Sequence, residues 1–103
     1  MIRYTTESQS LYVKGVDLTQ CDVYVTYRQA DVTMEVTDVT VTFDGTDTLV
    51  VARLTQEQTA RLQRGYAKVQ INYVDVQGHR DATVEKEFYV HGNLLQRVLT
   101  HAS

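Results

Sequence analysis

With 103 residues and 43 % apolar content, the chain is long enough for one two-layered domain, too short for two, and too rich in core-forming residues to stay disordered. Its formal net charge of −3, with basic residues scattered along the chain, argues against nucleic acid as a partner. No apolar run has the length of a membrane span, so no membrane partner is expected. Val and Thr dominate, and Tyr is the main aromatic, a bias that suits pleated, half-buried surfaces better than helices.

In chain order, residues 2–5 and 11–14 are read as one or two N-terminal strands. Residues 1–15 lack the basic-then-apolar pattern of a secretory signal. Cys21 is the only cysteine, which rules out an internal disulfide and points to a reducing compartment. Residues 22–28 then alternate, with Val23, Val25 and Tyr27 on one face, and Val32, Met34 and Val36 follow on the next strand. A two-residue loop at Gln29 and Ala30 would pair Tyr27 with Val32, Val25 with Met34 and Val23 with Val36, keeping every apolar side chain on one face.

Val39, Val41 and Phe43 share a face of a further strand, and Leu49 and Val51 share one on its successor. Keeping those sets in phase requires three or five loop residues around Asp44, Gly45 and Thr46. A two-residue turn at Asp44 and Gly45 is rejected, because it would oppose Val41 with Thr48. Residues 54–65 (LTQEQTARLQRG) break the alternation and read as a short helical crossover near 55–64. Thr55 and Gln58 have the spacing of a capping box, Glu57 and the arginines Arg61 and Arg64 complement the helix dipole, and Gly65 is the expected left-handed stop. Leu54 and Leu62 would face inward, and the helix would bridge two sheets.

The last hairpin is expected to turn at Gln77 and Gly78. That register pairs Tyr73 with Ala82, Ile71 with Val84 and Ala67 with Phe88, and sets Lys68 against Glu87 and Asp75 against Arg80. It also leaves Lys86 on the inward face opposite Val69, which a bulge or an edge position would relieve. Beyond a β domain at residues 1–92, a tail at 93–103 carries Leu94, Leu95, Val98 and Leu99 at helical spacing. These four are expected to form a short C-terminal helix that packs on the sandwich, on a symmetry mate or on another partner.

No pattern points to catalysis, a metal or any other cofactor, so the chain is read as non-enzymatic and cofactor-free. LTQEQTARL has the look of a first helix of a helix-turn-helix, but the recognition helix is missing because residues 66–74 alternate as a strand. Asp44 and Asp47 lack the ligand series and terminal Glu of a calcium loop. His79, His91 and His101 share no ligand spacing with one another or with Cys21, and Glu85 and Glu87 sit on an outward strand face. The candidate surfaces are Tyr24 and Tyr89, which fall out of phase with their strands' apolar faces, together with Tyr12 and Tyr66 and the leucine-rich tail. Such tyrosines either cover the sheet or meet protein or sugar.

The strand count of seven or eight, antiparallel, with one helical crossover, is that of an all-β immunoglobulin-like β-sandwich. The runs DGTDTLVVARLTQEQTARLQRG and AKVQINYVDVQGHRDATVEKEFYV further resemble short domains of phages and prophages of Gram-positive bacteria. These include the N-terminal domain of the phage baseplate upper protein. The matching features are the strand after Gly45, the helix start at 54–59, Gly65 opening a strand, and the turn at Gln77 and Gly78, over roughly residues 20–92. The resemblance implies a structural module acting through protein–protein contacts, with itself or with other phage structural proteins. It also implies synthesis in the bacterial cytoplasm and assembly into a virion. No long extension follows residue 103, so a complete receptor-binding protein is not expected. The competing expectation is a small carbohydrate-binding module using Tyr24 and Tyr89 as stacking platforms, weakened by the absence of Trp.

Overall fold

The computed structural model describes residues 1–101. Its strands are β1 (Glu7–Lys14), β2 (Asp22–Gln29), β3 (Val32–Val36), β4 (Val39–Phe43) and β5 (Asp47–Leu54). Helix α1 (Gln56–Arg61) follows, then β6 (Gly65–Val74), β7 (Arg80–Ala82) and β8 (Lys86–Val90). All strand pairings are antiparallel and form two sheets: β1-β5-β4, and β3-β2-β6 with β7 and β8 sharing the far edge of β6. In immunoglobulin lettering these are B-E-D against C′-C-F-G, so the protein is an immunoglobulin-like sandwich. The A position beside β1 holds no strand among the described residues. The one nearby pairing is a parallel bridge from Ile2 to His91.

The core joins the inward side chains of both sheets to Leu18 of the β1–β2 connection and Leu62 after α1; with Tyr27 and Leu54, these two are its largest fully buried members. Leu54 and Leu62 flank α1 as expected, and α1 carries the chain from β5 in one sheet to β6 in the other. The capping box is present: Thr55 accepts from the Gln58 backbone and the Gln58 side chain accepts from the Thr55 N–H. The helix stops earlier than Gly65, at Arg61, with Leu62 already extended. Its terminal carbonyls are met by Arg3, which donates to Ala60 O at 2.7 Å and Leu62 O at 2.5 Å. A guanidinium from a distant segment therefore replaces the glycine stop, and Gly65, at φ 132°, opens β6 instead.

Each hairpin departs from its expected register for an identifiable reason. In β2–β3 the turn is Ala30 and Asp31, so Tyr27 pairs with Met34 and Val25 with Val36. The shift is two residues, which leaves the faces unchanged. Gln29 stays in the strand because its side chain is clamped on Gln63, accepting from its N–H and donating to its carbonyl.

In β4–β5 the three- or five-residue loop is wrong. Asp44 and Asp47 close a two-residue turn at Gly45 and Thr46, and Val41 faces Val50. The inward set on β5 is Thr48, Val50, Ala52 and Leu54, with Leu49 and Val51 half-buried outside. β5 is the central strand and apolar on both faces, so bulk misassigns its phase. Thr48 settles it, because its hydroxyl donates to Val16 O and accepts from Leu18 N–H.

In the last hairpin the β8 half keeps the expected pairs Ala67–Phe88, Lys68–Glu87 and Val69–Lys86. The β7 half is displaced by one: Asn72 pairs with Ala82, Tyr73 with Asp81 and Val74 with Arg80. The turn has three residues, 76–78, closed by Asp75 N–H on His79 O, with Gly78 at φ 85°, a usual three-residue hairpin geometry. Residues 83–85 absorb the extra residue as a break in the strand. Val84 therefore points outward, 88 % exposed, rather than against Ile71. Lys68 pairs with Glu85 at 3.2 Å, Asp75 with His79 at 3.4 Å, and Arg80 with the Asn72 amide oxygen.

The N-terminal strand is longer than expected, and residues 2–5 contribute only the Ile2 bridge. Residues 94–99 form no helix. Leu94 is fully exposed and Leu95, Val98 and Leu99 keep 40–46 % of their surface exposed, and a short helix whose apolar stripe is only partly covered has too little to hold it. The tail runs irregularly over α1 instead, fixed by Asn93 donating to Arg3 O and by a reciprocal pair of bonds between the Gln56 amide and the Leu99 backbone, both 2.8 Å. Residues 102 and 103 of the predicted tail lie outside the described residues.

Candidate interaction surfaces

The outer face of the larger sheet carries Tyr24, Tyr66 and Tyr89, but it does not gather them. Tyr24 lies opposite Asn72 and Tyr89 opposite Tyr66, which sets them at opposite ends of β6, about 20 Å apart at ~3.3 Å per residue. Tyr89 is half-buried because Tyr66, itself 64 % exposed, packs edge-on against it at 5.1 Å, and His91 does so from the other side at 4.8 Å. Tyr66, Tyr89 and His91 thus form one aromatic ridge. Tyr24 belongs instead to a shallow hollow with Thr26, Glu35, Asn72 and Arg80. Tyr12 is exposed on the other sheet.

The remaining candidate groups are occupied locally. Asp44 accepts from the backbones of Thr46 and Asp47, and the Asp47 bond, followed by the Thr46 bond, holds its carboxyl below the ordinary range. Asp75 is lowered chiefly by the His79 backbone N–H. Tyr27 is pushed well above its ordinary value, first by burial and then by the Glu7 carboxylate, while its hydroxyl donates to Gln9 at 2.7 Å. Among the described residues no three His, Cys, Asp or Glu side chains converge on one point. Cys21 is half-buried beside the core.

A surface that the sequence reading missed lies between the sheets where strand A is lacking. A groove of about 570 Å³ is bounded by Leu11, Tyr12 and Lys14 of β1 on one side and by the broken 83–87 edge on the other, with Val69 and Ile71 as its floor. A smaller hollow continues it along Ser8, Gln9 and Ser10 to Phe88, and Lys86 stands in both. Leu11 and Val13 are the least sealed of the buried apolar residues, at 8 % exposure each against 3 % or less for the others. The core is open along β1. Among the described residues β1 also offers eight consecutive positions paired to β5 on one side only, without proline or bulge, and with its charges, Glu7 and Lys14, at its ends. Strand edges are usually guarded by such devices.

No protein-family model matches this chain, and a search of curated proteins finds no match either.

Proposed function

We propose that this chain is a non-enzymatic structural module of phage or prophage origin that works through protein–protein contacts. The contact role is carried by the β1 edge: an unguarded row of backbone donors and acceptors beside an incompletely covered core favours addition of another chain. The phage origin rests on the resemblance over residues 20–92. Two of the features on which the resemblance was drawn, a Thr55-capped helix and a strand opened by Gly65, are present in the fold. Co-expression with the products of neighbouring genes tests the reading. Copurification with a tail or baseplate protein supports it. Neighbours unrelated to virion structure remove the phage origin, and no stable contact with any chain removes the contact role.

The aromatic ridge of Tyr66, Tyr89 and His91 favours a second reading, a glycan-binding face, since exposed tyrosine rings stack on sugars. A glycan array that lights up with wild type and dims with Tyr66→Ala would establish it, and an array at background would dismiss it.

A further inference from the structure

Resting on the contact reading, we infer that the groove between β1 and β7–β8 is a strand-acceptor site, and that its occupant is the tail, residues 93–101, of a second copy of this chain. The acceptor half is built into the fold: among the described residues one strand position is unfilled and the backbone edge beside it is free, and the floor is apolar. The donor half is equally particular. The tail is neither helix nor strand; Leu94 is fully exposed, and Leu95, Val98 and Leu99 keep 40–46 % of their surface exposed. Within its own chain it is led away from the groove and held on α1 by the Gln56–Leu99 pair.

The two halves also match in length and polarity. Nine extended residues span about 30 Å, and the eight of β1 about 27 Å. Laid in the groove as a strand, the tail can turn Leu94, Gln96 and Val98 inward. That order, apolar–polar–apolar, meets a groove with Val69 and Ile71 as its floor, Leu11 and Val84 on its two sides, and Lys86 between its two hollows on an inward register position. The Gln96 amide then gives the ammonium an acceptor. The opposite phase would set Arg97 against Lys86 and is disfavoured. Leu95 and Leu99 flank the exposed Tyr12 on the outer face.

The test uses the full chain in sedimentation velocity up to about 1 mM, where even weak association is read. Wild type is expected to associate. A donor variant, Leu94→Asp with Val98→Asp, and an acceptor variant, Val84→Asp with Lys86→Asp, change exposed residues only and should each be monomeric. Mixing the two variants should restore a one-to-one pair, because one supplies a sound groove and the other a sound tail. If a double variant loses its far-UV spectrum, Leu94→Asp and Lys86→Asp alone replace it. A monomeric wild type, a variant that associates as wild type does, or a mixture that stays monomeric would each overturn the inference. Association that survives both variants overturns it while leaving the contact reading in place.

Discussion

Thr48→Val is the sharpest probe of how this sandwich is phased. The side chains have nearly the same shape, and Thr48 is fully buried, so the substitution exchanges a hydroxyl for a methyl without opening a cavity. It removes two bonds, the donation to Val16 O and the acceptance from Leu18 N–H. The N–H belongs to a residue whose side chain is itself fully buried, so the lost partner is not readily replaced by water. A buried polar group left unpaired costs about 1–3 kcal/mol. Taking ~2 kcal/mol and an unfolding entropy of ~2.1 cal/mol/K per residue, Tm should fall by about 9 °C. Thr48→Ser separates the causes, since it keeps the hydroxyl and loses roughly one methyl's burial, about 1 kcal/mol. Differential scanning calorimetry gives the stabilities, and hydrogen exchange of the Leu18 amide reports the bond. Fast exchange is expected in the Val variant and slow exchange in the Ser variant. A Val variant as stable as wild type, with Leu18 still protected, would refute the claim that Thr48 ties the β1–β2 connection to β5.

Other expectations follow from the same geometry. Arg3→Ala should cost about 2 kcal/mol, the range for bonds to a charged group, because it strips the partners from the α1 carbonyls of Ala60 and Leu62; urea unfolding reads this. Gly45→Ala should cost about 1–2 kcal/mol through its φ of 99° alone, having no atom within 4 Å to strike, whereas Gly92→Ala should stay within about 0.5 kcal/mol. In acid, the lowered Asp44 and Asp75 carboxyls contribute stability that is whole above their unfolded value near ~3.9 and is lost as pH falls through their lower folded values. Thermal melts should therefore be flat down to about pH 4 and drop below it, less steeply in Asp44→Asn. In alkali the sign reverses: the raised Tyr27 phenol contributes stability that is whole below about pH 10 and lost as pH rises toward its folded value. Tyr27→Phe should lack that loss.

What the sequence makes legible divides along physical lines. The α1 cap is local, a matter of Thr55 and Gln58 three residues apart, and it forms as read. Strand alternation is also local, so the all-β sandwich and the faces of β2 and β3 are recovered. Register is not, because it depends on which residue a tertiary contact fixes. Gln29 is held by Gln63 and Thr48 by Val16 and Leu18, partners 34 and 30–32 residues away. The tail misleads for a related reason: four apolar residues at helical spacing specify a helix only where something covers them. The groove is the least legible feature, since an open edge arises from the order of strands in space. Leu11 and Val84 look in sequence like ordinary strand members, and only Lys86, inward opposite Val69, marks an edge there.

Amide exchange in dilute and concentrated wild-type protein probes the proposed contact role of the open β1 edge. The β1 amides facing the groove should exchange rapidly when dilute and become protected when concentrated, together with those of residues 94–99, while the edges β3 and β4 do not change. Protection that appears on β3 or β4 instead, or β1 amides that stay fast at every concentration, would contradict it.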